Sequence, residues 1–260
     1  MQHRPRKRFG QHFLHDPHVI RKIVAAVAPQ PGETLVEIGP GRGAITLPLL
    51  ECCQALTAVE LDRDVIPLLE AAAAGKGELH IIQGDALATD LAALAPAGGK
   101  IRLVGNLPYN ISTPLLFHFL EQAEHIADMH FMLQKEVVRR MAAPPGGKEY
   151  GRLTVMLAAR CQVEPLFNIG AGAFSPPPKV ESAFVRLVPY ARAPFPMDDP
   201  RRFAGIVTQA FSHRRKTLRN ALAGLVDETA IRDAGIDPKA RPETLSAADY
   251  GRLAAEKPTA

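Results

Sequence analysis

Short apolar runs alternate with segments of helical periodicity between residues 33 and 188. The apolar runs predict strands at 35–38, 55–61, 79–82, 101–104 and 129–133. Between these runs, apolar residues recur every three or four positions, which predicts helices at 44–50, 65–74 and 113–123. Strands that alternate with helices form a parallel sheet covered by helices on both faces. The pattern therefore predicts an α/β fold.

The last third of the chain follows a different pattern. Residues 180–188 are rich in β-forming side chains and follow three prolines at 176–178, which predicts an added edge strand. Residues 189–200 contain four prolines and are typical of a linker. Beyond them, apolar residues such as Phe203, Ile206 and Ala210 fall at helical spacing. We predict a sheet domain over 1–190 and a small all-helical domain over 191–260.

Composition narrows the class of protein. The chain has 260 residues, of which 47% are apolar, so it can bury a sizeable core and is not a disordered chain. Three cysteines, two of them adjacent, exclude a disulfide scaffold and favour a reducing compartment. The sequence shows neither a signal-like apolar block nor a run of about 18 apolar residues. We therefore expect a soluble, unprocessed cytoplasmic protein that binds no membrane.

The net charge of +4 hides two strongly basic segments. Residues 1–22 carry a net charge of +5, and residues 201–220 carry +6 with no acidic residue. The other 218 residues sum to −7. Clustered Lys and Arg gain free energy by releasing counterions from a phosphate backbone, so the segments indicate a polyanionic partner. A solvated arm and a charged helix face remain the alternative.

A glycine-rich loop directly follows the first predicted strand of the sheet. Gly39, Gly41 and Gly43 allow a tight turn and a close approach of the backbone to a ligand. Glu60 ends the next strand, where its carboxylate can accept hydrogen bonds from both ribose hydroxyls. Gly39, Gly41 and Ala44 also satisfy the G-x-G-x-x-A pattern of dinucleotide sites. The loop alone therefore fits NAD as well as S-adenosylmethionine.

Two further acids favour S-adenosylmethionine. Glu37 lies within the strand before the glycines, where a dinucleotide loop normally has apolar residues. Asp85 ends the third strand and can accept a hydrogen bond from an adenine amino group. Acids at the ends of three successive strands are difficult to explain by structure alone. We interpret the set as a nucleoside site.

The sequence Asn-Leu-Pro-Tyr at 106–109 follows the fourth strand, at the sheet edge where α/β folds bind ligands. An exocyclic amine is a poor nucleophile because its lone pair is delocalised into the ring. The Asn106 side-chain oxygen and the Leu107 carbonyl can accept the hydrogens of such an amine and direct its lone pair at a methyl donor. Tyr109 offers a ring on which a base can stack. This chemistry requires no metal.

A second aromatic residue precedes the predicted edge strand. Phe174 opens the run Phe-Ser-Pro-Pro-Pro-Lys, and the stiff prolines can hold its ring over the other face of a base. Lys179 closes the run and can contact a phosphate. Packing of Phe174 in the core is an equally good interpretation.

Four motifs together resemble one family. They are R-F-G-Q-H-F-L at 8–14, G-P-G-R-G at 39–43, N-L-P-Y-N-I-S at 106–112 and F-S-P-P-P-K-V at 174–180. The chain resembles the small-subunit ribosomal RNA adenine N6,N6-dimethyltransferases, relatives of the macrolide-resistance rRNA methylases and of mitochondrial transcription factor B. The resemblance extends from about residue 8 to 245.

The resemblance implies a Rossmann-like S-adenosylmethionine-dependent methyltransferase sheet whose last strand is antiparallel, followed by a helical domain. It implies dimethylation of two adjacent adenines in a terminal hairpin of 16S-type rRNA, a role in small-subunit biogenesis, and S-adenosylhomocysteine as the product. The implied partners are the small ribosomal subunit and its rRNA, and the protein is expected to be monomeric. No metal is implied.

The resemblance also assigns residues to roles. By motif match, the cofactor is bound by His12, Leu14, Gly39, Gly41, Glu60, Asp85 and Asn106. The target base is held by Asn106, Leu107, Tyr109 and Phe174. The RNA is contacted by Arg6, Lys7, Arg8, Lys179, Arg214, Arg215, Lys216 and Arg219. His12 departs from the family, which commonly has Asn here, and an imidazole can still donate one hydrogen bond.

Four other functions compete with this interpretation. The protein can act chiefly as an assembly factor that binds immature small subunits, because one surface would serve both roles. A large-subunit methylase that modifies a single adenine is disfavoured because those enzymes more often lack the run at 174–185. A DNA adenine methylase is disfavoured because only about 70 residues of helix follow the sheet. An NAD-dependent enzyme is disfavoured because no hydride-handling His or Lys accompanies the loop.

Overall fold

The structure is a computed structural model that describes residues 12–256. The strands are β1 (Phe13–Leu14), β2 (Thr34–Ile38), β3 (Ala55–Glu60), β4 (Glu78–Gln83), β5 (Ile101–Asn106), β6 (Ile126–Gln134), β7 (Cys161–Ile169), β8 (Phe174–Ser175) and β9 (Ser182–Pro189). The helices are α1 (Pro17–Val27), α2 (Thr46–Cys53), α3 (Ile66–Ala73), α4 (Ser112–Leu120), α5 (Lys135–Met141), α6 (Arg152–Ala158), α7 (Pro200–Ser212), α8 (Leu218–Ala221), α9 (Glu228–Asp233) and α10 (Ala247–Ala255).

The central sheet has seven strands in the order β4-β3-β2-β5-β6-β9-β7. Strands β4, β3, β2, β5 and β6 run parallel to their neighbours, whereas β9 runs antiparallel to β6. From β2 the chain builds the sheet in one direction through β3 and β4 and then returns to the other side at β5. The strand order therefore reverses between β2 and β5, which is where open α/β sheets bind their ligands. The α/β prediction and the antiparallel last strand are confirmed.

The prediction of an edge strand at 180–188 is wrong. Strand β9 lies between β6 and β7, and β7 forms the edge. Ala183, Phe184 and Val185 are all buried in β9, so the strand is covered on both faces, as an interior strand must be. Strand β7 contains Pro165, and most of its residues are exposed or half-buried, as is typical of an edge strand. It therefore has no continuous apolar run that would predict a strand.

Local sequence signals set the ends of several helices. The Asp16 carboxylate accepts hydrogen bonds from the backbone N–H groups of His18 and Val19 and caps α1, with Pro17 in the first turn. Asp199 caps α7 in the same way, again followed by proline. Ser246 caps α10 in a capping box. These caps satisfy backbone donors that a helix cannot satisfy itself.

The chain forms two compact units. The first unit contains residues up to 138 together with 164–189, and the second contains 139–163 together with the chain from 190 onward. The predicted sheet domain over 1–190 includes residues 139–163, whereas the structure groups these residues with the second unit. The reason is that α6 contacts α7 and α10 of the second unit. In the described part of the chain, no helix is long and apolar enough to cross a membrane.

Candidate active site

A cavity of about 720 Å³ opens at the carboxyl edge of the sheet in the first unit. It is lined by the loops that follow β2, β3, β4 and β5 and by strand β1. Its volume lies within the range of small-molecule sites, roughly 300–1,000 Å³. The predicted residues around it are Glu37, Gly39, Gly41, Glu60, Asp85, Asn106, Leu107 and Tyr109, joined by His12 and Leu14 from the amino-terminal side. The structure brings these sequence-distant residues together.

The glycine-rich loop has a left-handed backbone conformation. Gly39 has φ +67° and Gly41 has φ +54°, values that residues with a side chain rarely adopt. A Cβ at Gly41 would lie 3.3 Å from the Phe13 ring, whereas a Cβ at Gly39 would meet no atom within 4 Å. Since both residues line the cavity, their missing side chains leave its floor open to a ligand.

Glu60 is held in place before any ligand binds. Its Oε2 accepts a hydrogen bond from the Gly41 N–H at 3.1 Å, and its Oε1 accepts one from the Asp62 N–H at 2.8 Å. The residue is 6% exposed, and burial raises the pKa of its carboxyl. Each carboxylate oxygen has a second lone pair, so Glu60 can accept two further hydrogen bonds from a pair of hydroxyl groups.

Glu37 is a buried acid at the base of the cavity. It is 1% exposed, and its Oε2 has no hydrogen-bond partner among residues 12–256. Burial, with a contribution from the Glu60 charge, raises the pKa of Glu37 to about 8. A positive group of a ligand would satisfy this oxygen and favour its ionised form. The acidic groups that accept hydrogen bonds around the cavity therefore fit a cationic nucleoside.

Two aspartates complete the acidic side of the cavity. The Asp85 Oδ1 accepts the Leu87 N–H at 2.9 Å and so caps the short 3₁₀ turn Ala86–Ala88. Asp62 is 2% exposed and also lines the cavity. The sequence interpretation missed Asp62, although its position two residues after Glu60 at the end of β3 was a usable signal.

Asn106 ends β5 with a defined orientation of its amide. Its Nδ2 donates to the His12 carbonyl oxygen at 3.2 Å. Because the nitrogen is used there, the Asn106 Oδ1 is the atom that can accept hydrogens from a substrate. Gly105 makes this position possible, since a Cβ there would lie 2.5 Å from the Ile38 carbonyl oxygen of the neighbouring strand.

The Tyr109 ring is fixed at one end by β9. Its hydroxyl shares a 2.6 Å hydrogen bond with the Ser182 hydroxyl, and burial raises the pKa of the phenol. The sequence interpretation missed Ser182, which is fully buried, although its place within the run at 174–185 was a usable signal. On its other side, the Tyr109 ring stacks on the His12 imidazole with 5.9 Å between ring centroids.

The amino-terminal strand is joined to the proline-rich loop. Strand β1 pairs antiparallel with β8, so Leu14 lies opposite Phe174. The His12 Nδ1 lies 2.8 Å from the Pro176 carbonyl oxygen. A carbonyl only accepts, so this imidazole nitrogen carries the hydrogen. His12 thereby contacts the proline-rich loop, Tyr109 and Asn106 at once.

Phe174 is not among the residues that line the cavity. Its side chain is 2% exposed and belongs to a hydrophobic cluster with Leu14, Ile23 and Phe184. The structure therefore does not bring the Phe174 ring to the other predicted base-binding residues, and its contact with a base stays a prediction. Lys179 is exposed.

The predicted RNA-binding residues differ in their surroundings. Arg6, Lys7 and Arg8 lie outside the described residues. Arg215 and Lys216 are exposed, and Arg219 pairs with Glu228 at 3.5 Å. The Arg214 guanidinium is instead used within the protein, where it donates to two backbone carbonyls. Their contacts with RNA stay predictions.

The seven-stranded sheet with an antiparallel β9, together with the cavity over a glycine-rich turn, defines a Rossmann-like methyltransferase fold. The family model of ribosomal RNA adenine dimethylases matches residues 2–258. The chain therefore belongs to the ribosomal RNA adenine dimethylase family.

Individual relatives agree with this family. The chain is 57% identical over 255 residues to the ribosomal RNA small subunit methyltransferase A of Xylella fastidiosa strain 9a5c, covering 98% of this chain and 96% of the relative. It is 54% identical over 253 residues to the protein of the same name from Pseudomonas aeruginosa, covering 97% and 94%.

Solved structures agree as well. The crystal structure of a dimethyladenosine transferase from Plasmodium falciparum is similar with a TM-score of 0.77 and 25% identity, covering 93% of this chain and 96% of that chain. That of the 23S rRNA methyltransferase ErmE has a TM-score of 0.73 and 24% identity, covering 94% and 98%, and supports the fold.

Proposed function

We propose that the protein transfers methyl groups from S-adenosylmethionine to the N6 amines of two adjacent adenines in a terminal hairpin of small-subunit rRNA. The observation that carries this proposal is the Asn106 amide, whose Nδ2 is bound to the His12 carbonyl while its Oδ1 stays available at the cavity. Family membership and the relatives' names support the substrate class.

The cofactor, when bound, supplies a methyl group on a positively charged sulfur. Glu37 offers a buried carboxyl oxygen to a positive group, and Glu60 offers two acceptor oxygens to ribose hydroxyls. Asp85 keeps Oδ2 available for an adenine amino group, because the cap of the 3₁₀ turn uses Oδ1. These contacts would orient the donor, and the mainly apolar lining would limit water around the reacting atoms.

The target amine would lie between the donor and two acceptors of the chain, the Asn106 Oδ1 and the Leu107 carbonyl oxygen. Hydrogen bonds to these acceptors draw the amine hydrogens away from the ring plane and direct the nitrogen lone pair at the methyl group. The base would stack on Tyr109, whose ring is anchored by Ser182. After the first transfer the nitrogen retains one hydrogen, so only one acceptor serves the second transfer.

A methyl-transfer assay tests the proposal. Radiolabelled S-adenosylmethionine would be supplied with unmethylated small subunits, naked rRNA or DNA, and the nucleosides would be analysed by mass spectrometry. We expect dimethyladenine in the subunit sample. Label in DNA alone, or monomethyladenine as the final product in large-subunit rRNA, would contradict the proposal.

Asn106→Ala tests the role of the amide. Loss of the side-chain acceptor should lower the methylation rate by orders of magnitude while the protein still binds subunits. Normal dimethyladenine from this variant would exclude the amine-orienting mechanism. If the variant still binds subunits, small-subunit assembly in its presence distinguishes a dependence on methylation from a dependence on binding alone.

Glu60 variants test the cofactor assignment. Glu60→Ala should weaken S-adenosylmethionine binding by about 1.5–3 kcal/mol for each charged hydrogen bond lost. Glu60→Gln should weaken it almost as much, because an amide group cannot accept from both the Gly41 and Asp62 N–H groups. Asp85→Asn, which keeps one acceptor oxygen, is the milder comparison. Unchanged calorimetric affinity of Glu60→Ala would exclude the assignment.

We further propose that the protein acts on the small ribosomal subunit during its biogenesis, in the cytoplasm and as a monomer. The two basic segments of the sequence support a contact with rRNA. Sedimentation of the purified protein with unmethylated subunits would test both the partner and the monomeric state.

A further inference from the structure

Arg214 differs from the two cations that follow it in sequence. Its Nη1 donates to the Lys148 carbonyl oxygen at 2.9 Å and its Nη2 donates to the Gly147 carbonyl oxygen at 3.0 Å. Its Nε lies 3.6 Å from the Glu243 Oε2. Internal partners thus occupy three nitrogens of the guanidinium. Such a guanidinium is poorly placed to donate two parallel hydrogen bonds to a phosphate as well.

The loop that Arg214 binds is fixed at both ends within the same unit. The Gly146 N–H donates to the Glu243 carbonyl oxygen at 2.6 Å, and Gly146 has φ +85°. The Tyr150 hydroxyl donates to the Leu245 carbonyl oxygen at 2.7 Å, and Tyr150 is 3% exposed. Residues 144–149 therefore have a defined position next to Arg214. We call them the glycine loop, which is distinct from the glycine-rich loop at 39–43.

The glycine loop adds a cation to the surface that follows α7. Lys148, Arg215 and Lys216 are all exposed, and none of their side chains forms an ion pair with residues 12–256. Glu149 is the exposed acid beside Lys148. The Glu243 carboxylate, which is mostly shielded, already has Arg214 as its counter-charge. The surface therefore carries three unpaired cations from two distant parts of the sequence.

We propose that Lys148, Arg215 and Lys216 form one phosphate-binding surface for the rRNA backbone, and that Arg214 is a positioning residue that holds the glycine loop in it. The inference rests on the proposed rRNA substrate. Phosphate contacts fix orientation without reading sequence, and they require exposed cations at defined positions. Arg214 supplies the position, and the other three residues supply the contacts.

Binding of unmethylated small subunits, measured over a range of salt concentrations, tests the surface. Lys148→Ala should lower the affinity roughly three- to ten-fold and make the slope of log K against log salt shallower by about 0.7–0.9, the value for one phosphate contact. The rate constant kcat and the affinity for S-adenosylmethionine should stay unchanged, whereas KM for subunits should rise. Lys100→Ala removes an equal charge from an exposed site at the amino end of β5 and is the control.

Arg214 variants test the positioning role. Arg214→Lys keeps the charge but cannot donate to both carbonyls with a rigid fork, so it should lose as much affinity as Arg214→Ala. In the Lys148→Ala background, Arg214→Ala should cause little further loss, because its effect passes through the glycine loop. Wild-type affinity of Arg214→Lys, or additive losses in the double variant, would overturn the positioning role.

Two outcomes separate this inference from the function on which it rests. If Arg215→Ala/Lys216→Ala weakens subunit binding while Lys148→Ala does not, the glycine loop is not part of the surface and the inference is wrong. If neither variant alters subunit binding or its salt slope, the rRNA contact at this face fails altogether. Thermal unfolding of Lys148→Ala, whose side chain is exposed, should match the wild type and exclude misfolding as the cause.

Discussion

At the scale of single residues, His12 is the position where three site contacts meet. Its imidazole donates to the Pro176 carbonyl and stacks on Tyr109, while its own carbonyl accepts from Asn106. The side chain thus offers two separable interactions, a hydrogen bond and a ring contact. Substitutions can remove either one.

We expect His12→Asn to retain near wild-type methylation, because its Nδ2 can replace the imidazole Nδ1 as donor to the Pro176 carbonyl. His12→Phe keeps a ring over Tyr109 but leaves the carbonyl without its donor, which should reduce kcat/KM about two- to ten-fold, the value of one neutral hydrogen bond. Steady-state kinetics with unmethylated subunits provide the measurement. An active Phe variant together with an impaired Asn variant would assign the role to ring stacking instead.

The Tyr109 hydroxyl provides a second prediction at this scale. Tyr109→Phe keeps the ring, so both methyl transfers should proceed, but the buried Ser182 hydroxyl loses its 2.6 Å partner. An unsatisfied buried hydroxyl costs about 1–3 kcal/mol, which should appear as reduced stability in urea unfolding. Adding Ser182→Ala should restore part of that stability. Tyr109→Ala removes the stacking surface and should stop methylation, and equal inactivity of the Phe variant would contradict the stacking role.

At the scale of elements, the predictable parts are those with an uninterrupted local signal. Strands β2, β3, β5 and β6 were predictable because parallel strands buried on both faces are nearly continuous apolar runs, and the edge strand β4 because it contains the short apolar run at 79–82. Strand β7 was not, since Glu164, Pro165 and Asn168 interrupt it, and its place at the edge depends on the rest of the sheet. The pairing of β1 with β8 was equally hidden, because two-residue strands have no periodicity.

In the candidate site, too, some features have a local sequence signal and others do not. Gly39, Glu60, Asp85 and Asn106 were predictable because each lies at the end of a strand or within two residues after it, and parallel strands bring such positions to one edge. The orientation of Asn106 was not predictable, because its partner is a backbone carbonyl 94 residues away in sequence. Contacts of this kind depend on tertiary packing.

Strand β8 contributes the Phe174 side chain to the hydrophobic cluster. Phe174 packs in the hydrophobic cluster beside Leu14, so Phe174→Ala should lower the free energy of unfolding by about 3–5 kcal/mol, and Phe174→Leu by much less. Urea unfolding measures both values. Methylation by the folded Leu variant then tests whether the ring also contacts the target base. A stable Leu variant with a normal rate would remove Phe174 from the base site, and an equal stability of both variants would contradict its core role.

At the scale of the whole molecule, two buried titratable groups on the sheet give the stability a distinctive pH dependence. Burial raises the pKa of Glu37 to about 8. His130 is fully buried in β6 with neither ring nitrogen hydrogen-bonded to a described residue, and burial lowers its pKa to about 4. The neighbouring Asp128 lies 3.7 Å from His130 and opposes this shift.

The charges around His130 explain why Asp128 does not ionise it. Arg102 donates to both Asp128 oxygens, at 2.9 and 3.2 Å, and Arg186 donates to Oδ2 at 3.1 Å. Arg102 also pairs with Glu33 at 2.7 Å. Although burial alone would raise the pKa of Asp128, these hydrogen bonds keep it lowered. The aspartate is therefore already neutralised by two arginines, and the Phe184 ring covers His130 on another side.

The two groups act with opposite sign. Between pH 4.5 and 8 the folded protein holds a proton on Glu37 that the unfolded chain releases, so the free energy of unfolding falls as the pH rises. Between pH 4 and 6.5 the unfolded chain binds a proton on His130 that the folded protein excludes, so the free energy of unfolding rises with pH. Their contributions cancel between pH 4.5 and 6.5, and only the Glu37 contribution remains above pH 6.5.

Glu37→Gln should therefore change the shape of the stability profile of the cofactor-free protein. The variant keeps a neutral side chain of the same size, so relative to the wild type it should gain about 2 kcal/mol between pH 6.5 and 8, at about 1.4 kcal/mol per pH unit. His130→Met should instead make the free energy of unfolding fall between pH 4.5 and 6.5, because the Glu37 contribution is then no longer cancelled. Urea unfolding of the three proteins at pH 5, 6.5 and 8 measures these differences. If the difference between Glu37→Gln and wild type is the same at all three values, Glu37 does not hold a proton in the folded protein at neutral pH, and the buried acid at the cavity is ionised before any ligand binds.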